Sequence, residues 1–474
     1  MLFNSVVFLK FFAAFLLLYL LARQSLRARN CLIIAAGYLF YGWWDYRFLC
    51  LLFASSVLDY SVGLGIERSQ TLRRRRLWLC LSLAGNLGML GFFKYYGFFV
   101  DSMVALLAQF DIPAQPRTLR LVLPVGISFY TFQTMSYALD VYRRQIAPTR
   151  SFVNFLAYVA FFPQLVAGPI GRASHLLPQF ERSRLITRQM LAEGVWLMLW
   201  GMFKKVVLAD NLAPLVDLAY GHPLGSGPLV ALGTIAFGFQ IYGDFSGYSD
   251  IGRGAAKLLG FDLMLNFNLP YLATSVREFW RRWHISLSSW LRDYLYISLG
   301  GNRRGPWRTR LNLLLTMLLG GLWHGAAWNF VLWGAWHGLG LLAHRWWSGH
   351  RAATGSQPGR PATVAGRVAA WLLTMLFVFY GWLLFRANSF ALIAAQTAAL
   401  GNFACPVWIG SYLINLLAFT LPLVAMQVWQ AKTGNLLVPL TLPPWARYGL
   451  QGALLVCILL FWEKESTPFI YFQF

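Results

Sequence analysis

Few side chains in this chain are suited to chemistry. Seven histidines are spread over 474 residues, and three of them, His324, His337 and His344, share a stretch with no carboxylate, lysine or arginine from Leu311 to His344. A neutral imidazole can take the proton from a hydroxyl as that oxygen attacks a thioester carbonyl, so a histidine held in an apolar setting is a candidate general base for acyl transfer. An acyl-histidine intermediate is a second chemistry open to the same ring. His324 is the candidate here: it sits in "GGLWHGAAWNFVLWGAWHG" beside Trp323, with Gly320, Gly321 and Gly325 around it. His337 and His344 lack such neighbours and read as packing residues.

A second constellation lies just upstream, in "SVREFWRRWHISLSSWLRDYLYISLGGNRRG" over 275–305. Trp280, Trp283, Trp290, Tyr294 and Tyr296 suit the headgroup level of a bilayer, with Arg277, Arg281, Arg282 and Arg292 turned to water or to an anion. Glu278, His284 and Asp293 are more polar chemistry than an anchor needs. Arginines beside a cavity suit a phosphate-bearing acyl donor, a coenzyme or a carrier-protein arm. Arg281, Arg282, Arg292, Asn302, Trp283 and Trp323 are therefore the donor-binding candidates, and His284 is the second ring available near His324. The oxyanion of acyl transfer could be met by His284, by the indole of Trp283 or Trp323, or by a backbone N–H freed at Gly320 or Gly321.

A third segment, "FQIYGDFSGYSDIGRGAAKLLGF" over 239–261, carries Asp244 and Asp250 inside an apolar run. Buried carboxylates need partners, and these two, like Asp293, read as structural braces bonded to backbone or to arginines. Gly243, Gly247, Gly252 and Gly254 point to a bend or a close helix contact. The chain has no G-x-S-x-G, H-E-x-x-H, P-loop or dinucleotide fingerprint, which removes serine-hydrolase, zinc and nucleotide chemistry. No metal site and no tightly bound cofactor are expected; a phosphate-bearing acyl thioester would come as substrate.

The elements that hold these residues belong to a membrane. Hydrophobic residues form 58% of the chain and charged ones 12%, more apolar surface than one soluble core can hide. Apolar runs recur from residue 4 to residue 462, the one over 31–66 broken near Asp45. At about 20 residues per span they give about eleven crossings, with shorter or broken pieces. The first run, over 4–22, reads as a retained helix, since no basic segment precedes it and no small-residue cleavage site follows. The net charge of +23 comes from basic loops at 23–29, 68–76, 277–310 and 344–367, which fits cytoplasmic loops better than nucleic acid. With the last two of these on one side, the 34 residues from 311 to 344 are too few for two crossings, so a broken or re-entrant element at the glycines is expected. The polar loop 348–366 is the best linker, and the five cysteines, in or beside apolar runs without paired spacing, read as packing residues.

Together "YGDFSGYSD", "EFWRRWHISLSSWLRDYLYISLGGNRRG", "GGLWHGAAWNFVLWGAWHG" and "FIYFQF", with "LPVGISFYTFQTMSYALDVYR" and "FFPQLVAGPI", resemble the polysaccharide O-acetylating branch of the bacterial membrane-bound O-acyltransferases, whose members include those that acetylate alginate. The resemblance covers nearly the whole chain as one domain over 1–474, its motifs concentrated at about 120–345 and followed by C-terminal helices at about 368–474. It implies an all-α ring of tilted transmembrane helices around a central tunnel, with His324 as the catalytic histidine and His284 as the second motif histidine. It also implies a bacterial inner-membrane enzyme that passes acetyl outward to a periplasmic partner of the SGNH type and a polysaccharide export or synthesis machinery making an alginate-like or cellulose-like polymer. The sequence departs from the pattern at Gly243, where an aromatic is expected, and at the basic Arg253 and Lys257. Two rivals would place the same residues differently: a transporter, for which inverted repeats are expected and not found, and a structural export subunit, which needs no histidines. Transfer of D-alanine or of a longer acyl chain is the alternative within the family.

Overall fold

The computed structural model describes residues 1–112, 114, 122–165, 168–221, 225–353, 363–462 and 469–470. Every regular element among the described residues is helical. Five helices are long and apolar enough to cross a bilayer: Tyr46–Arg68, Leu72–Ala108, Gly227–Leu258, Val364–Arg386 and Ile409–Thr433. The chain is an all-α polytopic membrane protein. Other apolar runs form shorter helices, Val6–Ala22 and Pro444–Leu460 among them. The run over 31–66 is broken at Asp45, whose carboxylate accepts the Arg47 N–H and caps a single tight turn between the helices Leu26–Gly42 and Leu49–Arg68. Residues 354–362 of the loop 348–366 lie outside the described residues, as do 166–167 of "FFPQLVAGPI" and the terminal 471–474.

The chain divides into two compact units, Met1–Val195 with Ile251–Met264, and Trp196–Asp250 with Leu265–Phe474. In the first, the buried Asp59 carboxylate is satisfied by the Ser82 hydroxyl and the Asn86 amide. Lys257, one of the basic departures noted above, is held by Glu193 at 2.9 Å and Asp262 at 2.8 Å, so its charge is matched within the fold.

In the second unit, consecutive lysines sit in a π-helical turn, Phe203–Ala209. Lys204 reaches Asp250 at 2.6 Å, and Lys205 lies 2.7 Å from Asp210 and 3.1 Å from Asp244. Asp244 also accepts the backbone N–H of Ile470. The aspartates are thus braced by lysines and backbone, and the expected arginine partners are corrected to Lys204 and Lys205. Lys205→Met should leave two buried carboxylates facing each other without a cation. Breaking a buried ion pair in this way costs about 3–5 kcal/mol, and the expected readout is a loss of folded protein at equal synthesis, measured by size exclusion in detergent. Gly243 lies in the same neighbourhood: a Cβ there would stand 2.9 Å from the Lys204 carbonyl and 2.8 Å from the Leu208 side chain. Close approach to that turn leaves no room for an aromatic in place of Gly243, and the Gly227–Leu258 helix runs on through it without a break.

Two expectations are corrected by the helices themselves. The histidine-bearing stretch is a hairpin of two helices, Gly305–His324 with 20 residues and Trp328–Ala353 with 26, longer together than the 34-residue apolar run and broken at Gly325. Both continue past the apolar run, through Arg308 and Arg310 at one end and Arg345 at the other, because long basic side chains can carry their charge away from an apolar helix. The turn falls at Gly325, and Gly320 and Gly321 lie inside the first helix, where their N–H groups belong to the helical ladder and cannot serve an oxyanion. The cysteines, for their part, are free: Cys31, Cys50, Cys80 and Cys405 are exposed and Cys457 half-buried, so core packing does not explain them.

Candidate active site

The hairpin is antiparallel and unusually close. A Cβ on Gly321 would stand 2.2 Å from the Phe330 carbonyl oxygen, and one on Gly334 would stand 2.4 Å from that of Met317. Trp336 donates its indole N–H to the Phe377 carbonyl at 3.0 Å, and Asn329 donates to Phe385 at 3.1 Å, which fastens the second hairpin helix along Val364–Arg386. Phe385 is thereby set against the His324 ring, their centroids 5.4 Å apart. Trp323 and Trp333 complete an aromatic enclosure, at 5.1 and 5.0 Å from the His324 ring. His324 is the last residue of its helix and 4% exposed. The uncompensated carbonyls of a helix C-terminus favour positive charge, the charge a general base gains in the transition state.

The upstream segment forms two short helices, Val276–Arg282 and Ile285–Trp290, then a π-helical turn, Leu291–Tyr296. Ser275 caps the first by accepting the Glu278 N–H, while the Glu278 carboxylate accepts the N–H and hydroxyl of Thr274 and pairs with Arg282 at 2.7 Å. Burial pushes the Glu278 carboxyl up, but the Thr274 donors and the Arg282 guanidinium outweigh it and hold the group below its ordinary range. His284 links the two helices in a left-handed conformation, φ 43°, that non-glycine residues rarely adopt. The segment over 266–268 holds it there, Ile285 N–H donating to the Asn266 carbonyl and Asn268 N–H to that of Arg282, both at 2.9 Å.

Between these short helices and the hairpin lies a cavity of about 710 Å³. His324 is on its wall, with Trp280 and Trp333, and four arginines, Arg277, Arg281, Arg292 and Arg345, open onto it together with His344. No carboxylate lines it among the described residues. Its size suits a substrate-sized ligand, and its polarity suits an anionic one.

Of the residues singled out in the sequence, the structure brings His324, Arg281 and Arg292 together on this wall. Arg292 also pairs with Asp293 at 2.6 Å, which gives that aspartate a bracing contact at the cavity rim. His284, Trp283 and Trp323 are buried behind the wall, the His284 and His324 rings 6.5 Å apart. Arg282 is engaged by Glu278 and the Asn268 and Leu269 carbonyls, and Asn302 is exposed; neither lines the cavity. His344, read as packing, lies on the cavity wall, whereas His337 is fully enclosed by rings including Trp280, Trp333 and Phe377. Arg345 and Trp333 were missed. Their signal was available in the helical spacing of Trp333, His337, Leu341 and Arg345, which repeats every four residues from the turn after His324.

Known proteins resemble this chain over most of its length. The profile of the membrane-bound O-acyltransferase family, MBOAT, matches residues 44–385. A protein of Azotobacter vinelandii named "Probable alginate O-acetylase AlgI" is 45% identical over 85% of this chain and 78% of its own length. One of the same name from Pseudomonas aeruginosa is 44% identical over 82% and 72%. A peptidoglycan O-acetyltransferase of Helicobacter pylori is 36% identical over 80% and 74%. The match spans both the arginine-bearing segment and the histidine hairpin, and the chain belongs to the membrane-bound O-acyltransferase family.

Proposed function

We propose that this protein is an inner-membrane O-acetyltransferase that takes acetyl from a cytoplasmic thioester, acetyl-CoA in the simplest case, and passes it across the membrane for O-acetylation of an exported polysaccharide. The observation that carries this reading is the cavity in which His324 shares a wall with four arginines. The arginines would hold the phosphates of the donor, and His324 would take the proton of an attacking hydroxyl. A C–O bond forms at the acetyl carbon as the C–S bond breaks, and the proton passes by way of His324 to the departing thiolate. The family's ring of helices and its tunnel would supply the route to the far face. The sugar would be met there by a periplasmic partner of the SGNH type and the polymer's export machinery. The alginate acetylases and the peptidoglycan acetyltransferase among the relatives favour a glycan as final acceptor.

The test is thiol release from acetyl-CoA by the detergent-purified protein with a small hydroxyl acceptor. Detergent abolishes the two compartments, so a transporter gives no signal and an acyltransferase does. Arg281→Ala is expected to raise the KM for acetyl-CoA about tenfold at low salt with kcat little changed, because it removes a charge-assisted contact made before and during the reaction. The difference should shrink as salt screens the exposed guanidinium. An unchanged KM would remove Arg281 from the donor site.

A further inference from the structure

We propose that Asn266 is a positioning residue that fixes His284 as the tautomer protonated on Nδ1, so that Nε2 presents a lone pair and accepts a hydrogen bond from the acceptor hydroxyl. The clause about the hydroxyl rests on the acyl-transfer reading above; the assignment of the proton does not.

The argument starts from a group with no choice. The backbone N–H of Ser286 can only donate, and it lies 3.3 Å from the side-chain atom of Asn266 that must therefore be the carbonyl oxygen, Oδ1. The Ser286 hydroxyl donates to the same oxygen at 2.9 Å. The other end of the amide, Nδ2, donates to the Ser249 hydroxyl at 3.0 Å, which agrees with this orientation. His284 Nδ1 lies 3.1 Å from Oδ1 and 3.4 Å from the Ser286 hydroxyl, whose one hydrogen is already given to Oδ1; an amide oxygen offers only lone pairs, so the geometry favours a hydrogen on Nδ1. In a neutral ring Nε2 is then bare. Asn266, Ser286, Ser249 and His284 are each at most 1% exposed, so water does not compete for these bonds.

Four further observations point Nε2 at a ligand. It is buried and has no hydrogen-bond partner among the described residues. Its ring is clamped, edge to face, against Phe245 at 4.6 Å and Trp323 at 5.8 Å, so it cannot turn to find one. The His324 ring is 6.5 Å away, a span that one hydroxyl can bridge with hydrogen bonds of about 2.8 Å. The left-handed backbone at His284 is a strained conformation maintained by the 266–268 segment, as expected where ring placement matters. A bare Nε2 cannot donate to an oxyanion, so His284 leaves the set of oxyanion donors and joins His324 on the hydroxyl side of the reaction.

The experiment is solid-state NMR of the full-length protein, labelled with ¹⁵N in its histidine rings and reconstituted in lipid vesicles. The wild-type spectrum minus that of His284→Gln is expected to contain one neutral ring protonated on Nδ1. A difference signal protonated on Nε2 overturns the proposal, whatever the activity. Asn266→Asp, whose carboxylate accepts from the same three donors, should keep the signal, and Asn266→Leu should move it to the Nε2–H form. With acetyl-CoA, Asn266→Leu is expected to lower kcat about tenfold or more with KM unchanged, and Asn266→Asp to recover it to within about threefold. Equal losses in both variants, or an unchanged kcat in Asn266→Leu, overturn the positioning role. Full turnover in His324→Ala would instead overturn the acyl-transfer reading and leave the proton assignment standing on the spectra.

Discussion

His324→Ala is expected to lower kcat for acetyl transfer by about a thousandfold while leaving the KM for acetyl-CoA within about twofold of wild type, as removal of a general base does when donor binding rests on other groups. The two quantities separate because the arginines that open onto the cavity lie on other turns and other helices, whereas the His324 ring sits in the aromatic enclosure of Trp323, Trp333 and Phe385. His324→Gln fills nearly the same space and still hydrogen-bonds, yet it cannot take a proton at neutral pH, so its loss should match that of the alanine variant. A mere packing role predicts the reverse: the glutamine form would be nearly intact and the alanine form unstable. Thiol release at matched folded protein, read beside thermal stability, distinguishes the two, and turnover within about threefold of wild type in either variant would sink the assignment.

The second large effect is structural. Gly334→Val should abolish the folded protein, because its Cβ would stand 2.4 Å from the Met317 carbonyl oxygen and a backbone atom in a helix cannot swing aside. Overpacking costs about 1–3 kcal/mol where side chains can shift, and here the two hairpin helices would have to part. Gly349→Val lies on the same helix with nothing within 4 Å of its Cβ, so it carries the same change in helix propensity without the clash. The expected outcome is a normal size-exclusion profile for Gly349→Val and aggregation for Gly334→Val. Since Met317, Gly320 and His324 on one helix and Trp333 and His344 on the other line the cavity, any surviving Gly334→Val protein should also bind donor poorly.

How far the sequence led differs from residue to residue, for physical reasons. Charge in a greasy chain is conspicuous, so the arginine-rich segment and His324 stood out, and the fold does gather Arg281, Arg292 and His324 around one cavity. Helix length was misread because the apolar run ends at the first arginine while the helix does not: Arg308, Arg310 and Arg345 all lie within the hairpin helices. Lysines as the partners of Asp244 and Asp250 were overlooked, although "FKKVVLAD" places Lys204, Lys205 and Asp210 in another apolar run, a visible sign that buried charges would have to meet. Asn266 left no such trace. An asparagine in a loop is ordinary, and only the pairing of its segment with residues 282–285 brings its amide to His284.

The lysine–aspartate cluster has a consequence for how the protein is made. A lone Lys or Asp at the middle of a membrane helix costs about 2.5–3.5 kcal/mol on insertion, so neither the segment with Lys204, Lys205 and Asp210 nor the one with Asp244 and Asp250 is well suited to enter the bilayer alone. Neutralised against each other, they are. Insertion of the two segments is therefore expected to be coupled, and a chain that ends between them to be held in the membrane less well than one that carries both.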